Sequence, residues 1–210
     1  IEYANLDGLR VDTYPYIEMI PGSEWVKAIM DEYPNLNIVG ECWTRPASAV
    51  AYWQRGANNY NGFNSHLPSV MDFPVEEAIR QALETDGKQW GDGLTRVYDA
   101  IAMDYLYADV NNILIMLGNH DMDRITDVVK DQDPRRVKLA YTLLATMRGI
   151  PQVFYGDEYG MKSSDRSLGH STLRMPLPLN GEVTSEMQYM FDYQSRLFQW
   201  RKGEPVIHTG

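Results

Sequence analysis

Asn112-Ile113-Leu114-Ile115-Met116-Leu117-Gly118-Asn119-His120-Asp121 is the stretch that decides the fold. Its apolar core runs from Ile113 to Leu117 without a polar break. Such a run suits a strand buried on both faces, as parallel strands covered by helices are. The run then ends in an acid. A carboxylate where a buried parallel strand runs out faces the ligand-binding end of an α/β barrel. Two other short runs end the same way. Gly8-Leu9-Arg10-Val11 leads into Asp12, and Asn37-Ile38-Val39-Gly40 leads into Glu41.

Outward from these three runs, apolar stretches alternate with amphipathic ones, the pattern of repeated strand–helix units. Strands are expected over 7–11, 38–40, 67–73, 112–117 and 151–155. A helix is expected over 23–33, with Ser23 as N-cap and Trp25, Ala28 and Ile29 on one face. A short helix is expected over 47–54, and another over 75–85 with Pro74 in its first turn. A further helix is expected over 93–105. Asp133-Pro134 opens the next, with Val137, Ala140, Leu143, Leu144 and Met147 on one side and Gly149 ending it. The last is expected over 184–201. The Asn-rich 58–62 and the long 156–181 read as loops. There are no repeats and no linker. Five strands with intervening helices give the fold class α/β and suggest the later part of a (β/α) barrel.

Composition narrows the function. The 210 residues carry a net charge of -10, against the clustered Lys and Arg that a phosphate-binding surface needs, so nucleic acid is not an expected partner. With 44% hydrophobic and 23% charged residues the chain is globular rather than disordered. No apolar stretch approaches the roughly 20 residues of a membrane span. The single Cys42 forms no internal disulfide. The chain starts at Ile1 rather than Met, almost at once inside a strand, which is the expectation for a fragment or a processed product.

Three acids at strand ends suit acid/base work on a polar, uncharged substrate. Cleaving a glycosidic bond commonly takes two carboxyl groups, one to attack or to activate water and one to protonate the leaving oxygen. The transition state carries positive charge, which further anions stabilise. Arg10 lies two residues before Asp12, on the same side of a strand, and its cation suits an ionised Asp12. Glu41 must instead hold a proton, for which Val39 and Trp43 offer an apolar wall. Asn119 and His120 set hydrogen-bonding groups beside Asp121. Singly, each residue reads as an ordinary turn or cap residue. Their recurrence at corresponding strand ends carries the functional reading.

These segments resemble the α-amylase family of retaining α-glucoside hydrolases and transglycosylases. Gly8 to Asp12 is similar to that family's nucleophile segment on the fourth barrel strand, and Ile38 to Trp43 to its acid/base segment on the fifth. Leu117 to Asp121 is similar to its seventh-strand segment, and Gly149 to Glu158 to the segment over the eighth. Asp12-Thr13-Tyr14-Pro15-Tyr16 resembles neopullulanase-like and cyclomaltodextrinase-like members, and departs from the Lys-His pair of many α-amylases. The resemblance implies a partial (β/α)8 TIM barrel, about strands 4 to 8, over 1–203. It implies the start of a following β-sandwich domain at 204–210, where Val206 to Gly210 looks like the entry.

What the resemblance implies about the site follows residue by residue. Asp12 is the nucleophile, Glu41 the general acid/base and Asp121 the transition-state stabiliser. Arg10, His120 and Asn119 are the expected substrate-binding residues; Trp43 and Tyr16 either join them as aromatic platforms for sugar rings or pack as core and rim residues. Retaining chemistry implies Asp12 and Glu41 carboxyls about 5–5.5 Å apart. The expected partner is an α-glucan: maltooligosaccharide, starch, cyclodextrin or pullulan. No cofactor or metal is expected in this chain. Ca2+ belongs to an inserted domain that this sequence lacks, as it lacks the family's first conserved segment and strands one to three. Little or no activity is expected of the chain by itself. A homodimer of the complete protein, and a periplasmic, secreted or cytoplasmic location, are compatible with the resemblance. The 163–178 stretch departs from close relatives; it either shapes substrate access or, the favoured reading, is an ordinary variable surface loop.

Overall fold

The computed structural model describes residues 1–163, 165–178 and 181–209. Among them five strands run parallel: β1 (Gly8–Val11), β2 (Asn37–Gly40), β3 (Ser69–Val70), β4 (Leu114–Met116) and β5 (Ile150–Gln152). β1, β2 and β3 pair in sequence order, and β4 pairs with β5. One bridge, Met71 to Leu114, joins the two groups, and the Asp72 amide donates to the Leu114 carbonyl at 2.8 Å. The result is one arc of five strands in chain order.

Each strand feeds a helical layer: α1 (Met19–Glu32), α2 (Ala47–Ala51), α3 (Phe73–Glu84), α4 (Thr95–Ile101), α5 (Ile125–Val128), α6 (Pro134–Thr146), α7 (Ser185–Gly203) and α8 (Pro205–Thr209). The alternation of strand residues sorts the core. Ile38, Val70, Ile113, Ile115 and Leu117 join the large cluster with the helices. Val39, Met71, Leu114 and Met116 form a smaller cluster with Phe73 and Met122 on the other face. β3 and β4 are thus buried on both faces, as the apolar run over 113–117 requires, whereas β1 and β5 keep exposed residues.

Several boundaries differ from expectation. α1 starts four residues early, so Ser23 is buried inside the helix and donates to the Ile20 carbonyl rather than capping. Its buried residues are Gly22, Ser23 and Val26, while Trp25 and Ala28 are exposed. β3, β4 and β5 are shorter than the apolar runs, because those runs also fill the core before and after the ladder. Asp72 caps α3 by accepting from the Val75 amide, with Pro74 in the first turn as expected. Asp133 caps α6 through the Arg135 amide. α6 ends at Thr146, and Gly149 serves instead at the entry to β5. There φ is +89° and a Cβ would lie 2.7 Å from the Ile113 carbonyl oxygen, so only glycine fits.

The expected 156–181 loop holds two 3-10 segments, Asp157–Tyr159 and Arg166–Arg174. Its residues 164, 179 and 180 lie outside the described residues, as does Gly210 of the expected domain entry. The described part of that entry is helical, with His208 Nε2 3.0 Å from the Arg201 carbonyl oxygen. Among the described residues no helix is long and apolar enough to cross a membrane.

Candidate active site

Parallel register puts the first two acids side by side. Val11 pairs with Gly40, so Asp12 and Glu41 are the next residues on adjacent strands. The Glu41 amide still donates to the Val11 carbonyl at 2.9 Å, which carries the ladder one step further. Gly40 is required there: a Cβ would come within 2.5 Å of Leu67 and 3.2 Å of Tyr14.

Arg10 joins the two acids. Its Nη1 donates to Asp12 Oδ1 at 2.5 Å, and its Nη2 forms an ion pair with Glu41 Oε1 at 2.7 Å. One guanidinium therefore lies between the two carboxylates, hydrogen-bonded to Asp12 and charge-paired with Glu41. Sequence reasoning assigned this cation to Asp12 alone. Their surroundings differ: the Asp12 side chain is 63% exposed and that of Glu41 4%. Glu41 Oε2 accepts from the Thr13 amide at 3.1 Å. Thr13 holds φ +46°, a left-handed conformation that a β-branched residue rarely adopts. This turn after Asp12 is what aims its amide back at Glu41.

The expected apolar wall is only partly present. Val39 packs into the smaller core cluster. Trp43 stacks on Phe73, with ring centroids 5.0 Å apart and planes 9° from parallel, and stays half-exposed. Glu41 is instead buried against Arg10 and the Thr13 amide. Tyr16 is 88% exposed and projects beside the site from the 3-10 turn Tyr14–Tyr16.

Asp121 lies beyond β4 in a turn closed from within. Asn119 Oδ1 accepts from the Asp121 amide at 2.8 Å. Asn119 is buried, and its Nδ2 has no hydrogen-bond partner. His120 Nε2 lies 3.2 Å from Asp121 Oδ2. Two further residues were missed from the sequence. Arg174 Nη2 pairs with Asp121 Oδ1 at 2.7 Å, its Nε donates to the His120 carbonyl at 3.3 Å, and His170 Nδ1 lies 3.6 Å from Asp121. Both come from the 163–178 stretch, which the sequence leaves between a substrate-access loop and an ordinary surface loop, and of which residue 164 lies outside the described residues.

Buried Arg124 ties that stretch down. Its Nη2 donates to the Leu173 carbonyl at 2.9 Å, next to Arg174. Its Nη1 donates to Asp157 Oδ1 at 2.6 Å and to the Tyr155 carbonyl at 2.9 Å, with Phe154 under the guanidinium. Burial pushes the Asp157 carboxyl up to about 6, against the pull of Arg124. Ser163 donates its amide and hydroxyl to Asp127 Oδ2, each at 2.8 Å. These contacts link the loops after β4 and β5 over 30 to 50 residues of sequence, where no periodic pattern could announce them. Among the described residues no group of three or more His, Cys, Asp or Glu is arranged to hold a metal ion.

A parallel arc with helices packed on it and acids at the carboxyl ends of three strands has the layout of part of an α/β barrel. The model of the alpha amylase catalytic domain matches residues 2–205, and the chain belongs to that family. It is 29% identical to a cyclomaltodextrin glucanotransferase of Geobacillus stearothermophilus over 161 residues, 74% of this chain and 20% of that protein. It is 27% identical to an alpha-amylase of Niallia circulans over 210 residues, 98% of this chain and 35% of that protein. Among solved structures, the alpha-amylase of Geobacillus thermoleovorans complexed with acarbose superposes with a TM-score of 0.78 at 24% identity, over 99% of this chain and 43% of that one. The chain therefore spans well under half the length of these relatives and covers part of an α-amylase TIM barrel.

Proposed function

We propose that this chain supplies the nucleophile and the acid/base of a retaining glycoside hydrolase that cleaves α-1,4-glucosidic bonds. The observation that carries the reading is the Arg10 fork between Asp12 and Glu41 on adjacent strand ends. Asp12, exposed and charge-paired, attacks the anomeric carbon and forms a glycosyl ester. Glu41 gives its proton to the leaving oxygen and then takes one from water. Asp121, with His120 beside it and Asn119 holding its turn, binds hydroxyls of the reacting sugar. Trp43 and Tyr16 offer aromatic faces to neighbouring sugar rings. The strands correspond to about the fourth to eighth of the barrel, ending near residue 203.

A second reading, transglycosylation, is favoured by the likeness to a cyclomaltodextrin glucanotransferase. There a sugar hydroxyl replaces water in the second step. Product analysis with maltooligosaccharide or pullulan, at low and high substrate, separates the two. Retention of α-configuration is expected in both. Inversion, or no turnover by the barrel-complete protein, would overturn the proposal. The subsite that grips the reacting sugar needs groups held to within a fraction of an ångström. The chain by itself is accordingly expected to show little or no turnover.

A further inference from the structure

The turn that carries Asn119, His120 and Asp121 is gripped from behind by the preceding strand–helix unit. Arg80, on α3, donates its Nη1 to the Asp123 carbonyl at 2.7 Å and to the Leu117 carbonyl at 3.5 Å. These two carbonyls are the two ends of the turn. Arg80 Nε in turn forms an ion pair with Glu76 Oε1 at 3.1 Å, one helical turn back. We propose that Arg80, anchored by Glu76, is a positioning residue that clamps the 117–123 turn and so fixes where the Asp121 carboxylate stands. The inference rests on the reading of Asp121 as the acid that contacts the sugar.

The energetics favour a geometric role over a stabilising one. The Glu76 side chain is 1% exposed and that of Arg80 14%. Burial raises the Glu76 carboxyl to about 8 in spite of the neighbouring Arg80. A carboxyl raised that far is largely protonated at neutral pH, so Glu76 gives Arg80 a packed neighbour rather than a full counter-charge, and the contact adds little to stability. What it does supply is a guanidinium locked in one place. Its charge-assisted bonds satisfy turn carbonyls that would otherwise need water. From inside the turn, Asn119 Oδ1 holds the Asp121 amide. The turn is thus fixed at both ends and at its middle, while α3 itself belongs to another unit of the arc.

The test is hydrogen exchange in Arg80→Met and Arg80→Lys, read by NMR. In Arg80→Met the amides of Asp121 and Met122 should exchange about 10- to 100-fold faster, the loss of one charged hydrogen bond. Amides of α3 and of the β1–β2 ladder should keep their rates. Lysine reaches one carbonyl at a time and should restore part of the protection. If Arg80→Met does not fold, Arg80→Lys decides by the same localised change. Unchanged exchange over 119–122, or an equal rise throughout the chain, overturns the proposal. In the barrel-complete enzyme, Arg80→Lys should lower kcat about tenfold and change KM much less, since a misplaced group weakens the transition state more than substrate binding. Absence of glycosidase activity in the unaltered enzyme would defeat the functional reading but leave the exchange result to judge the clamp.

Discussion

Asp12 and Asp121 both follow strands of one arc, yet they are held in opposite ways. Asp12 is 63% exposed and meets one cation, which reaches it from two residues away. Asp121 is 25% exposed and is surrounded by His120, His170 and Arg174, two of them about fifty residues distant. Asp12 and Glu41 are organised by backbone register and a single guanidinium. Asp121 is organised by side chains that lash several loops together. The first arrangement suits a group that must stay accessible for attack. The second suits a group that must keep its place while gripping a sugar.

The largest effects should follow from removing the reacting groups. Asp12→Asn in the barrel-complete enzyme should lower kcat on the order of 10^4-fold or more. Glu41→Gln should lower it about 10^2- to 10^4-fold. Neither should shift the melting temperature downward much, since the isosteric amide keeps the packing. Normal turnover in either variant would remove the pair from the reaction.

The network around Asp121 should break through stability before it breaks through chemistry. Arg124→Met removes the cation that lowers the Asp157 carboxyl and strips the Tyr155 and Leu173 carbonyls of their donor, and should cost about 2–4 kcal/mol by denaturant unfolding, with Asp157 taking up a proton. A loss below about 1 kcal/mol would mean that the loops are held by other contacts. Asp157 also sets a pH dependence. Its folded value, about 6, lies above the ordinary 3.8, so the folded state holds its proton more firmly than the unfolded one. The stability this contributes is fully present below pH 3.8 and is lost as pH rises through about 6. Asp157→Asn should flatten the stability profile between those limits. A variant whose profile keeps the unaltered slope would assign the dependence to another group.

The contrast between the two ends also explains what could be read from the sequence. Asp12 and Glu41 were legible because each closes an apolar run, and strand register alone brings such residues together. Arg10 was legible by its two-residue spacing from Asp12, but its reach to Glu41 depends on which strands are neighbours. Arg174, His170 and Arg124 left no such trace. Their partners are backbone carbonyls and distant acids, contacts with no period and no motif. The face of α1 was misread for a related reason. Trp25 and Ala28 satisfy a helical spacing, but Gly22, Ser23 and Val26 fit closer against the core.

Smaller effects sharpen the comparison between the two cations. Arg10→Met frees both reacting acids at once, and kcat/KM should fall on the order of 100-fold. Arg10→Lys should rescue little, because a point charge cannot fork between two carboxylates. Arg174→Ala should reduce kcat/KM only about tenfold, because His120 still contacts Asp121 and half-exposed pairs are screened. Equal losses in the two variants would erase the distinction drawn between the ends of the site.

The smallest expected effects concern the aromatic rim. Trp43 is half-buried and stacks flat on Phe73, whereas Tyr16 is almost fully exposed. Trp43→Ala should therefore cost about 0.5–1.5 kcal/mol of stability from the lost ring contact, beyond any effect on substrate. Tyr16→Ala should leave the melting temperature unchanged. A rise in KM for long maltooligosaccharides, without a change in kcat, would mark Tyr16 as a uniform-binding platform for sugar rings. An unchanged KM for long and short substrates alike would remove Tyr16 from the substrate-binding residues.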